Sequence, residues 1–314
     1  ARMTWHEDKA WPAGKPCKPS FMVIGAPKCG STSLFQYLSI HPNIQKPALK
    51  ELCYFSDFKQ HLQRGRVSTS TNWQLYTAAF AGMQSLRNAK GMLASQFAVE
   101  SHDQPFDCPE SGASAKHAYE ACPFYLGEAH AAARLRVTFP ELRLVMVLRN
   151  PWARTLSAFH DYIRHGRIAA VERSVLGMER LIIAKVDLVR SGQRSMEDFD
   201  VRILTSGVYI YGLTAWTKYW HPNRMMLIRS EDMFDDAFGV FSRLELFLQL
   251  PSFVPPQHSL RAHNRNAMAR ATASHKLNQT LDDFFVPYNE KLYAWTTAHG
   301  IPFARWDNAT RPPR

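Results

Sequence analysis

Residues 21–38 read FMVIGAPKCGSTSLFQYL. Phe21, Met22, Val23 and Ile24 form a continuous apolar run, the pattern of a strand covered on both faces. Gly25 and Pro27 break the run. Ser31, Thr32 and Ser33 then offer capping hydroxyls to a helix carrying Leu34, Phe35, Tyr37 and Leu38. A strand, tight loop and helix in this order aim free backbone N–H groups and a positive dipole end at one point, which makes an anion site.

Gly25 and Gly30 are spaced as the two glycines of the phosphate-binding pattern G-x-x-x-x-G-K-[ST], and Ser31 and Thr32 follow. The lysine is displaced: Lys28 lies inside the loop and Ser31 fills the slot after Gly30. Nucleotide triphosphatases need that lysine on the β- and γ-phosphates and a hydroxyl on Mg²⁺. The loop therefore predicts an anionic nucleotide handled without the usual metal chemistry. The glycines alone would suit any strand-to-helix turn; Lys28 and the hydroxyl run favour the anion site.

The chain has 314 residues, 46% hydrophobic and 12% aromatic, enough to bury a sizeable core. Its apolar runs all fall short of the ~20 residues of a membrane span, and the N-terminal stretch lacks a signal-peptide apolar core. A soluble chain is expected as given, with an upstream anchor or signal left open because the sequence does not start with Met. A net charge of +11 favours polyanionic partners. Zinc-finger spacing, a helix-turn-helix signature and Lys/Arg tracts are missing, so nucleic acid is not expected. Five cysteines without a C-x-x-C pair argue against a structural metal site. Cys108 and Cys122 bracket a small-residue stretch, either as a disulfide-closed loop or as two unpaired thiols. Glycosylation sequons at Asn278 and Asn308 fit a secretory-pathway protein.

Residues 1–20 read as a polar surface lead-in and residues 21–314 as a single domain. A peripheral helix is predicted around Trp73, Tyr76 and Phe80, and short strands at 96–100 and 124–128, with a loop at 111–116 between them. A second buried strand, 142–148, runs into Arg149-Asn150-Pro151 and a helix carrying Leu156, Phe159, Tyr162 and Ile163. Residues 168–199 read as a charged helical segment able to act as a lid, and 206–220 as an aromatic helix. Strand 225–228 and helices 234–250 and 277–299 close the chain, with an arginine-bearing loop at 251–270. Alternating strands and helices predict an α/β fold with a mainly parallel sheet covered by helices, which binds ligands beyond the strands' C-terminal ends.

Four segments in this order, GAPKCGST, the acid in LKELCYF, LVMVLRNPWARTLSAFHDY and SGVYIYGLTAW, resemble the sulfotransferases that use 3′-phosphoadenosine 5′-phosphosulfate (PAPS). The likeness is greatest to Golgi carbohydrate sulfotransferases of the N-acetylgalactosamine 4-sulfate 6-O-sulfotransferase branch, and more distant to the heparan sulfate N- and 3-O-sulfotransferases. It covers roughly residues 21–307 and implies a P-loop-like sulfotransferase fold. By this resemblance the loop Lys28, Cys29, Gly30, Ser31, Thr32 and Ser33 would hold the 5′-phosphosulfate, and Arg149 with Ser157 the 3′-phosphate. Glu51 would be the general base, and Glu128 would orient the acceptor or support Lys28. Arg261 and Arg265 would close over the nucleotide, and no metal would be required. The implied acceptor is an acidic glycan, and the implied location the Golgi lumen. One departure stands out: relatives place a histidine two residues after the acid, and here Cys53, read as a small buried residue, occupies that position. A small alcohol or amine is the alternative acceptor. A P-loop kinase is disfavoured by Ser31 and Arg149, and a catalytically idle glycan binder is the remaining class.

Overall fold

The computed structural model describes residues 17–57, 73–80, 116–168, 173–256, 259–260 and 274–306. The apolar runs form the sheet. Strand β1 (Pro19–Gly25) leads through the loop into helix α1 (Ser31–Leu38), and β2 (Ile44–Gln45) and α2 (Trp73–Ala78) follow. Next come β3 (His117–Ala121), α3 (Ala129–Thr138), β4 (Arg143–Leu148) and α4 (Pro151–Arg164). The remainder is α5 (Val175–Arg190), α6 (Arg202–Thr205), α7 (Tyr209–Trp216), β5 (Met225–Arg229), α8 (Ser230–Asp235), α9 (Ala237–Leu248) and α10 (His275–Ala298).

Among the described residues every strand pair is parallel, in the order β2-β3-β1-β4-β5. Val23 of β1 aligns with Ala121 on one side and Val145 on the other. Met22, Val23, Ile24 and the run Leu144–Leu148 are fully buried, as strands covered by helices on both faces must be. The connection after β1 leaves toward β2, and that after β4 toward β5. The chain thus switches direction between β1 and β4, and a crevice opens beyond their C-terminal ends.

Several expectations are corrected. The strand predicted at 124–128 is a single 3-10 turn, Tyr125–Gly127, and the strand lies earlier, at β3. Its HAYEA sequence gives little strand signal, because Glu120 is buried only by virtue of distant hydrogen-bond partners. Cys53, read as a plain buried residue, forms a disulfide with Cys122 across 69 residues of sequence. Cys122 therefore does not close the 108–122 loop. Cys17 is disulfide-bonded as well. The hydroxyls of Ser31–Ser33 do not cap α1; the cap position is Gly30 in the left-handed region. The helix expected at 234–250 is divided at Asp236, whose carboxylate accepts from Gly239 N at 2.9 Å and so starts α9. The segment suggested as a lid contains α5, which buries Ile182 and Val186 and packs against α10. The strand expected at 96–100, Cys108 and both Arg261 and Arg265 lie outside the described residues.

Candidate active site

The loop after β1 is shaped by glycines where side chains have no room. A Cβ at Gly25 would lie 2.6 Å from Leu126 Cβ, and one at Gly30, where φ is 101°, 2.7 Å from Met233 Cε. Backbone bonds fix the loop, with Ala26 N donating to Val147 O at 2.8 Å and Cys29 N to Ala26 O at 3.3 Å. The buried Arg154 of α4 clamps it from below, donating from Nε to Pro27 O at 3.2 Å and from a terminal nitrogen to Ile203 O at 2.6 Å. Gly30, Ser31, Thr32 and Ser33 at the start of α1 line the crevice, where the positive end of the helix dipole favours an anion.

The turn after β4 is braced equally well. Asn150 Oδ1 caps α4, accepting from Trp152 N at 3.0 Å, and Pro151 takes the first helical position. Tyr209 OH donates to Arg149 O at 2.8 Å, while Asn150 N donates to Glu231 Oε1 at 2.9 Å. Glu231 Oε2 in turn accepts from Trp306 Nε1 at 3.0 Å. Arg149 thus sits on a braced turn lining the same crevice as the Lys28 loop.

A cavity of about 1290 Å³ joins these pieces. Lys28, Gly30, Ser31, Thr32, Ser33, Glu51, Glu128, Arg149 and Ser157 all line it, so most of the residues singled out from the sequence converge. Cys29 is the exception: its thiol is fully buried, lies 3.4 Å from Tyr209 OH, and is pushed up in pKa by burial. Its side chain serves the core, not the cavity.

Glu51 lies in a segment held down at several points. Both Glu51 and Cys53 adopt left-handed backbone, φ 61° and 52°, and Lys50 Nζ pairs with the Glu51 carboxylate. Two residues on, Cys53 is tied to Cys122 by its disulfide, and its N–H donates to Glu120 Oε1 at 2.6 Å. Glu120 also accepts from Tyr125 OH and Tyr76 OH, each at 2.9 Å. Burial first, and the adjacent carboxylate second, push both phenols well above their ordinary pKa.

The Glu128 carboxylate does not support Lys28. It accepts from Ser56 Oγ at 2.7 Å and Asp57 N at 3.0 Å, and its Oε2 lies 2.8 Å from His130 Nε2. Glu128 therefore braces the segment following Glu51, with Arg134 securing the same stretch through Asp57 at 2.8 Å. The carboxylate that meets Lys28 Nζ is Asp161 of α4, at 2.7 Å.

Arg154, Asp161, Glu120 and Glu231 were not singled out from the sequence. The signal for two of them was present. Arg154, Ser157 and Asp161 recur at intervals of three and four within ARTLSAFHDY, so they share one helix face. Arg164, Arg167, Arg202, His130 and His165 add further basic groups to the cavity wall. Together with Lys28, Arg149 and Ser157, this set of cationic and hydroxyl donors suits an anionic ligand.

Comparison with known proteins gives a consistent picture. Residues 18–283 match the family model described as a sulfotransferase domain. Among curated proteins, the membrane-associated sulfotransferase kil1 of Dictyostelium discoideum is 22% identical over 88% of this chain and 65% of its own length. Human carbohydrate sulfotransferase 15 is 23% identical over 90% of this chain and 55% of its own. The Drosophila melanogaster bifunctional heparan sulfate N-deacetylase/N-sulfotransferase is 24% identical over 87% of this chain and 24% of its own. The chain thus spans less than two thirds of the length of these relatives. A crystal structure of a sulfotransferase from Alicyclobacillus acidocaldarius shares the fold with a TM-score of 0.63, at 22% identity, covering 92% of this chain and 98% of that one.

Proposed function

The chain belongs to the sulfotransferase domain family, and on that premise we propose that residues 21–314 form a single catalytic domain transferring a sulfuryl group from PAPS to a hydroxyl of an acidic glycan. The observation that carries this reading is a single cavity uniting the Lys28 loop, Arg149, Ser157 and Glu51. The donor nucleotide supplies an activated sulfuryl group. Ser31, Thr32 and the first-turn amides of α1 hold its 5′ end, and Arg149, with a planar fork suited to phosphate, holds the 3′-phosphate together with Ser157. Glu51 takes the proton of the acceptor hydroxyl as that oxygen becomes nucleophilic, and Lys28 neutralises charge on the departing phosphate oxygen. Neither role calls for a metal. Glu128, Ser56 and Asp57 keep the Glu51 segment in place.

The basic wall beyond the donor groups supports an anionic acceptor over a small neutral alcohol or amine. Disulfide-bonded cysteines support an oxidising compartment such as the Golgi lumen. Among the described residues, no helix is long and apolar enough to cross a membrane.

The test is transfer of labelled sulfate from PAPS to a panel of sulfated and unsulfated galactosaminoglycans, heparan sulfate and small alcohols, in the presence of a chelator. Glu51→Ala should lower turnover by about 10²- to 10⁴-fold, the usual contribution of a general base, while keeping nucleotide affinity. Stabilisation by ATP with Mg²⁺ but not by 3′-phosphoadenosine 5′-phosphate (PAP) would overturn the proposal in favour of a kinase.

A further inference from the structure

The charge relation around Lys28 goes beyond a plain donor site. Lys28 has left-handed backbone, φ 70°, and its ammonium lies 2.7 Å from Asp161 Oδ1. The two residues are 133 apart in sequence, and both line the cavity with their side chains 29% and 21% exposed. Asp161 stands one turn beyond Ser157 on the same face of α4. His165 Nδ1 lies 3.7 Å from its other oxygen and 2.8 Å from its backbone carbonyl. A carboxylate therefore occupies the place from which Lys28 meets an anion.

We propose that Asp161 is a positioning residue that competes with the 5′ anionic end of the nucleotide for Lys28, and so weakens the hold on the spent bisphosphate after transfer. The inference rests on the reading of this cavity as the donor site. An ammonium has three N–H donors and can serve carboxylate and phosphate together. The shared cation is then partly neutralised, and two anions stand a few ångströms apart with protein on one side, where repulsion exceeds its value in open water. With Asp161 in place, donor-free Lys28 is kept ordered against α4, and a product phosphate is held less tightly than Lys28 alone would hold it. The 3′-phosphate, assigned to Arg149 and Ser157, does not share this cation.

Titration calorimetry with PAP and with adenosine 3′-monophosphate, which lacks the 5′-phosphate, tests the inference on the wild type, Asp161→Asn, Lys28→Met and the double variant. Asp161→Asn should bind PAP about tenfold more tightly, as a freed ammonium gains an unshared charged hydrogen bond, with the monophosphate unchanged. The gain should vanish in the Lys28→Met background. Unchanged or weaker PAP binding in Asp161→Asn overturns the proposal, as does a gain that survives without Lys28 or extends equally to the monophosphate. Asp161→Ser carries the same test if the asparagine variant does not fold. A wild type that binds neither nucleotide refutes the donor site itself, an outcome distinct from failure of the Asp161 competition alone.

Discussion

Replacing both cysteines of the Cys53–Cys122 bridge by serine should separate the stability of the fold from the placement of Glu51. The bridge spans 69 residues, and closing a loop of that size removes enough denatured-state entropy to stabilise by about 4 kcal/mol at 25 °C. Cys17 is also disulfide-bonded, so the denatured chain stays partly constrained and the expected loss is about 2–4 kcal/mol. Urea unfolding of the oxidised protein and the Cys53→Ser/Cys122→Ser variant measures it directly. The functional consequence is separate. Cys53 keeps its N–H bond to Glu120 but loses its covalent tether two residues from Glu51, so turnover should fall while PAP affinity, assigned above to Lys28 and Arg149, should be retained. Leu281→Ala, a truncation in the fully buried part of α10 costing a similar ~2–5 kcal/mol, serves as the stability control. A loss below about 1 kcal/mol, or turnover no lower than in that control, would refute the reasoning.

Glu120→Gln places its own N–H₂ among the donors Cys53 N, Tyr76 OH and Tyr125 OH, so about 1–3 kcal/mol should be lost; a urea midpoint unchanged from wild type would count against the network. Arg149→Ala should weaken PAP binding by roughly tenfold to a hundredfold, the range for a charged hydrogen bond, and leave adenosine 5′-monophosphate binding unchanged; equal losses for both nucleotides would move Arg149 away from the 3′-phosphate. His117 is held below its usual pKa of 6.5, first by burial and then by Arg143 and His41. The unfolded chain therefore binds the extra proton more readily, and stability is lost as pH falls below 6.5 through the folded-state value. His117→Gln should flatten that acid slope in urea titrations, and an unchanged slope would assign the effect to other groups.

Much of the framework was legible because its causes are local. A strand covered on both faces must be apolar at every position, so β1, β4 and β5 stand out in the sequence. The loop between β1 and α1 needs glycine where a neighbour leaves no room for Cβ, so Gly25 and Gly30 mark it. The spacing from Arg149 to Ser157 carries their placement on one turn and one helix face. Strand β3 was not legible: two alanines carry little strand preference, and a glutamate reads as exposed until its partners are known.

Sequence alone determined the buried strands β1, β4 and β5, the strand–loop–helix turn after β1 and the residue types that turn carries, since backbone sterics and hydrophobic burial act over a few neighbouring positions. Tertiary structure decided the pairings. Glu120 is neutralised as a burial problem by Tyr76 and Cys53, 44 and 67 residues away. Cys53 finds Cys122 because β3 ends beside the Glu51 segment, and Lys28 meets Asp161 rather than Glu128 because α4 runs along the cavity. Hydrogen bonds, ion pairs and disulfides depend on distances of a few ångströms, which the fold sets and separation along the chain does not encode.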